Sequence, residues 1–60
     1  MKLIAVTCIS ERKNWDEPVV GNTYLIDTDS LYIDYEGDTY VDVYDIEKIG
    51  MLKASHFMSI

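Results

Sequence analysis

The chain has 60 residues, 48% of them hydrophobic, and eleven acids against five Lys and Arg give it a formal net charge of −6. A chain of this length buries only about 60% of the surface its unfolded form exposes, so residues 1–60 read as one marginally stable domain with little room for a deep substrate cavity. A sequence pI near 4.3 argues against direct binding of nucleic acid or of an anionic membrane, because both call on Lys and Arg.

Lys2 to Ile9 (KLIAVTCI) is apolar and β-branched, with Ile4, Val6 and Cys8 in one phase and Leu3, Ala5 and Thr7 in the other. That pattern predicts a strand covered on both faces. Its apolar run, Leu3 to Val6, is far short of a membrane span, and no long apolar region with a small-residue cleavage site follows it. With Cys8 as the sole cysteine there is no internal disulfide, and a reducing cytoplasm is the expected setting. Ser10 to Pro18 (SERKNWDEP) is polar and predicts a loop, in which Trp15 is expected to act as a lid over one end of a small core, with a ligand contact as the alternative reading. Val19-Val20-Gly21-Asn22 predicts a turn, and Thr23 to Asp27 a second strand. Asp27-Thr28-Asp29-Ser30 predicts a second turn-rich connection.

Leu31 to Tyr35 and Thr39 to Ile46 form the clearest hairpin. Leu31, Ile33 and Tyr35 share one face of the first strand, and Val41 and Val43 one face of the second. These odd-numbered positions meet on one side only across a loop of odd length, which predicts a Glu36-Gly37-Asp38 loop with Gly37 or Asp38 in the left-handed conformation. The opposite face then carries Tyr32, Asp34, Tyr40, Asp42 and Tyr44, with Asp34 opposite Tyr40 and Tyr32 opposite Asp42. Beyond it, Glu47 to Ile60 reads either as a further strand with Gly50 at a bulge or as holding a short helical turn near Ala54 to Phe57. Met51 and Met58 read as gap-fillers there.

Charge is distributed unevenly along this pattern. Between Tyr24 and Glu47 there are eight acids and no Lys or Arg, with all five tyrosines threaded among them. Alternate strand residues lie roughly 6.6–6.8 Å apart, so Asp34, Glu36, Asp38 and Asp42 are expected to cluster around one hairpin and its tip. Tyrosines supply contact area at low entropic cost and clustered acids attract basic grooves, so Tyr32, Asp34, Glu36, Asp38, Tyr40, Asp42 and Tyr44 are the candidate partner-binding residues. A solvated, aggregation-resistant strand face gives the same alternation and is the alternative reading.

No catalytic constellation emerges. Cys8 and His56 are the one conceivable nucleophile–base pair, but Cys8 falls in an apolar strand phase where cysteines are inert. Neither Asp27-x-Asp29 nor Asp34-x-Glu36-x-Asp38 has the spacing of a calcium loop, which leaves weak, non-specific cation binding at the tip as the alternative. The expectation is a protein that is not an enzyme, with no cofactor and no dedicated metal site.

The order of a polar loop, Val20-Gly21-Asn22-Thr23-Tyr24-Leu25-Ile26, then Tyr32-Ile33-Asp34-Tyr35-Glu36-Gly37-Asp38 and a late Phe57 resembles small SH3-like barrel proteins of Gram-positive phages and prophages. In that group a Val-Gly-x-x-Tyr segment follows the long first loop, an acidic-Gly hairpin comes next, and a Phe closes the barrel. Val20, Gly21, Tyr24, Gly37 and Phe57 would hold those places here. The resemblance implies an all-β fold, a small five-stranded SH3-like barrel or a highly curved antiparallel sheet, and a mobile-element origin without catalytic residues. Two functions follow as expectations. One is an inhibitor that docks its acidic hairpin into the basic groove of a nucleic-acid-handling or defence protein, mimicking nucleic acid. The other is an assembly module, a homo-oligomer included, that acts through apolar strand edges.

Overall fold

The computed structural model describes residues 1–57. Four strands, β1 (Leu3–Thr7), β2 (Thr23–Ile33), β3 (Thr39–Tyr44) and β4 (Lys48–Lys53), pair in chain order as one antiparallel sheet, and a 3-10 turn (Ala54–His56) follows β4. The all-β class is as the sequence implies. Among the described residues there are four strands and not five, and the sheet is open, with β1 and β4 at its edges. Both readings of the C-terminal segment are realised in succession: β4 is a strand whose register shifts beside Gly50, and the helical turn comes directly after it. Met58 lies outside the described residues.

One face of the sheet holds the core. Tyr24 and Ile26 of β2, Val41 and Val43 of β3 and Leu52 of β4 are buried there with Cys8, Ala54 and Phe57. The register places Ile26 against Val43 and Val41 against Leu52, so each apolar layer continues across neighbouring strands. Phe57 closes the layer with its ring edge-on to Tyr24 at 5.9 Å, and the Tyr24 hydroxyl accepts the Val19 N–H at 2.9 Å. Polar segment 10–18 and its continuation to Asn22 return the chain to β2 through the Val19–Asn22 turn, where the Asn22 N–H donates to Val19 O.

Three expectations are corrected by this arrangement. β1 is not covered on both faces: it has β2 as its one partner, and Leu3 and Ile4 are exposed, so burial begins only with half-buried Val6 and buried Cys8. Trp15 is not a lid. It stands 65% exposed, with the Arg12 guanidinium over its ring at 4.7 Å, so its apolar face is covered by a cation and not by the core.

The third correction concerns Asp27 to Ser30, which continue β2 as an irregularity and do not reverse the chain. Asp and Ser favour turns because their side chains bond to nearby backbone, and here the same bonds hold a strand. Asp27 Oδ1 accepts the N–H groups of Lys2 (3.1 Å) and Asp29 (3.0 Å), while the Ser30 hydroxyl donates to Asp27 O at 2.6 Å. From Asp27 to Tyr32 β2 advances five residues while β3 moves two, from Asp42 to Tyr40. The excess of three is odd, so the faces exchange across the irregularity. Ile26 therefore takes the core position opposite Val43, and beyond the irregularity the odd positions share that side, Ile33 opposite Thr39, but Leu31, Ile33 and Tyr35 lie uncovered there and are exposed.

Candidate protein-binding face

The β2–β3 hairpin closes two residues earlier than the Glu36-Gly37-Asp38 loop expected from parity. The Asp34 N–H donates to Asp38 O at 3.0 Å and the Gly37 N–H to Asp34 O at 3.1 Å. Gly37 adopts φ +87°, the left-handed conformation that a side chain resists. Asp34 fixes the turn from within: its Oδ1 accepts the N–H groups of Glu36 and Asp38, both at 2.9 Å. The loop length stays odd, but the pairs change. Tyr32 faces Tyr40, with ring centroids 6.4 Å apart, and Ile33 faces Thr39, in place of the expected Tyr32–Asp42 and Asp34–Tyr40 pairs.

Asp34, Glu36 and Asp38 converge at the tip, each with a carboxylate oxygen within 4.8 Å of the others. Asp42, expected in the same cluster, is separate. It lies opposite Asp27 on β2 and Met51 on β4, and its Oδ2 is 3.3 Å from Lys48 Nζ. Tyr40, Asp42 and Tyr44 do share the outer face of β3, all half-buried, so the alternation read from sequence holds along that strand. The tip is partly neutralised as well, because Lys53 Nζ lies 3.5 Å from Asp38 Oδ2, and the Asp38 charge raises the Lys53 pKa above its ordinary value. Exposed pairs of this kind contribute little to stability, about 0–1 kcal/mol, but they set where negative potential remains. It remains at Glu36, which is exposed and has no cation within ion-pair reach among the described residues.

Beside the tip, the hairpin carries bare apolar surface. Tyr35 is 97% exposed and Ile33 68%, with Leu31 and Tyr32 exposed next to them. Sequence parity missed this patch because it assigned three of these four side chains to the core. It also missed Lys48 and Lys53 as internal counter-ions, since their place opposite β3 depends on the register shift within β4.

Cys8 and His56 both turn to Ser10. Cys8 Sγ donates to Ser10 O at 3.2 Å and His56 Nδ1 lies 3.0 Å from the same carbonyl, while Cys8 is 1% exposed. Asp27 is the buried acid of the sheet. Its carboxyl is held below the usual carboxylate range, chiefly by the Lys2 N–H, with the Asp29 N–H and the N-terminal charge acting in the same direction against desolvation.

Comparison of the chain with protein families, with curated proteins and with solved structures returns no match.

Proposed function

We propose that the chain is a non-catalytic protein-binding module that docks the β2–β3 hairpin into a basic groove on another protein. The observation that carries this reading is the exposure of Leu31, Tyr32, Ile33 and Tyr35, on the two faces of the same hairpin whose tip carries the Asp34, Glu36 and Asp38 carboxylates. Apolar and aromatic side chains at the centre of a contact supply affinity once water is excluded, and the acids at its rim steer a cationic partner into register. Grooves of that charge are built to receive phosphates, so the partner in this reading is a nucleic-acid-handling or defence protein of a bacterial host, and the hairpin stands in for nucleic acid. An inhibitor from a phage or another mobile element fits this role, acting in the bacterial cytoplasm. The element order of a strand, a long loop, a three-stranded meander and a 3-10 turn followed by buried Phe57 supports an SH3-like reading of the fold.

A pull-down from bacterial lysate tests the proposal, with wild type set against Tyr35→Ser/Glu36→Lys at low and moderate salt. Both side chains are exposed, and the turn uses only the backbone N–H of Glu36, which the substitution keeps, so the variant alters the face and leaves the Asp34 bonds intact. A basic partner retained by wild type, released by salt and lost by the variant supports the reading. Equal capture by both proteins, or salt-insensitive capture, overturns it.

The exposed edge strand β1 favours a second reading, self-assembly through apolar strand surface. Leu3 and Leu25 are diagonal neighbours on one face of β1 and β2, and Met51 ends the row that runs from Leu3 through Asp27 and Asp42, all three apolar residues being exposed. Sedimentation of wild type and Leu3→Lys separates this reading from the first, because a homo-oligomer dissociates on that substitution and the hairpin contact is indifferent to it.

A further inference from the structure

The second surface of note has the opposite sign. A cleft of about 370 Å³ opens between segment 11–15 and β4. Three of the chain's five Lys and Arg line it, Arg12, Lys13 and Lys53, with Glu11 as the sole acid in its wall among the described residues. In a chain with more than twice as many acids as bases, that local excess of cations is the reverse of the overall balance, and a concave wall focuses its field. Trp15, the one tryptophan, forms part of the same wall together with Tyr40 and Leu52.

The parts are arranged and not merely adjacent. Arg12 Nε donates to Glu17 O at 3.0 Å, which fixes the guanidinium over one face of the Trp15 ring and leaves its terminal nitrogens unspent. The indole is 65% exposed, so its other face is open to a planar ring. Lys13 is exposed and makes no ion pair among the described residues, and Lys53 stands at the rim with its ammonium shared with Asp38. A ligand complementary to this wall carries a flat aromatic ring at one end and a multiply charged anion at the other. The volume lies near the lower limit of small-molecule sites, about 300–1,000 Å³, which suits one such unit. The net charge of −6 repels a polyanion, which disfavours a nucleic-acid strand as the occupant.

We propose that this cleft is a binding site for a small aromatic anion of the nucleoside monophosphate class, its ring on the open face of Trp15 and its phosphate held by Arg12 and Lys13. The cleft adjoins the hairpin at Tyr40 and Lys53, but Arg12, Lys13 and Trp15 lie outside the hairpin and Tyr35 and Glu36 outside the cleft wall, so the two sets of variants fail independently.

The experiment is a titration of the full chain in which the Trp15 indole N–H is followed by NMR and the Trp15 emission by fluorescence. Four probes are compared: adenosine 5′-monophosphate, adenosine, inorganic phosphate and an eight-residue Glu/Tyr peptide. The mononucleotide is expected to shift the indole resonance saturably with a dissociation constant of order 0.1–1 mM, and adenosine and phosphate to bind at least about tenfold more weakly. Lys13→Gln, which leaves the Arg12–Trp15 stack in place, is expected to weaken the mononucleotide about three- to tenfold, and Arg12→Gln/Lys13→Gln further still, with the other backbone amide resonances unmoved as the check on folding. No saturable shift at about 10 mM overturns the proposal. So does adenosine binding as tightly as its monophosphate, which leaves stacking alone, or phosphate binding as tightly, which leaves charge alone. Tighter binding by the peptide also overturns it and assigns the cleft to a protein partner.

Discussion

The Ser30 hydroxyl accepts the backbone N–H of Asp42 at 2.8 Å, within the stretch where β2 and β3 are out of register. A side-chain oxygen there takes the place of a strand carbonyl, and by donating onward to Asp27 O it ties the irregular part of β2 to β3 at both ends. The sheet therefore crosses three extra residues without orphaning the N–H of its central strand.

Ser30→Ala removes both bonds and leaves that N–H without an acceptor. The expected cost is about 1–3 kcal/mol, read as a lower urea midpoint at unchanged slope. An unchanged midpoint would show that water replaces the hydroxyl at no cost.

Gly37 tests the hairpin turn in isolation. No atom lies within 4 Å of a Cβ built at this position, so Gly37→Ala meets no clash and reports only the φ of +87°. The expected loss is about 1–2 kcal/mol, with Gly37→Asn losing less because Asn tolerates the left-handed region. Equal stability of all three proteins contradicts the assigned turn.

Two groups make stability depend on pH, at opposite ends of the scale. The Asp27 carboxyl has a folded pKa below its ordinary 3.8, so its contribution is complete above that value and is lost as pH falls through the lowered one. The amide of Asp27→Asn keeps an oxygen acceptor but does not titrate, so the acid limb of a stability–pH curve is expected to flatten in this variant. Lys53, with a pKa raised above 10.5 by the Asp38 charge, contributes fully below that pH and loses its effect as pH rises through the raised value. Asp38→Asn is expected to change the alkaline limb. Thermal melts across the pH range of each variant check this, and an unchanged acid limb in Asp27→Asn or an unchanged alkaline limb in Asp38→Asn refutes the assignment.

Phe57 is the last core residue described, and its ring is 6% exposed against Tyr24. Phe57→Ala is expected to cost about 3–5 kcal/mol, comparable to the whole stability of a domain this small. The variant should therefore lose its cooperative thermal transition, and Phe57→Leu should retain one at lower temperature. A cooperative melt of Phe57→Ala near the wild-type midpoint would place Phe57 outside the core.

Local signals carried much of this fold in the sequence. Apolar phase marks Cys8, Val41 and Val43, and each is buried. The Gly-Asn turn marks the start of β2, and the acids around Gly37 mark the tip of the hairpin. The part that sequence did not carry depends on bonds between side chains and distant backbone. Asp27 and Ser30 have the composition of a turn, and only their bonds to Lys2 and Asp42 make them part of a strand. Parity holds beyond that odd insertion, where Ile33 faces Thr39, but it does not tell that the core stops short of Leu31 and Ile33. The same holds for the acidic face: its bare charge is evident along the chain, whereas the lysines that temper it arrive from β4, whose register shifts by its own irregularity.

The N–H groups of Ile9 and Ser10 both reach His56 O, at 2.7 and 3.3 Å, so the segment that leaves the first strand is anchored to the turn that follows the last. Each hairpin of the meander joins neighbours in sequence and can form early, but this anchor and the Phe57 ring must wait for residues near the far end of the chain. Closure of the core is thus a long-range event that follows the hairpins, and until it occurs they are exposed to chaperones and proteases.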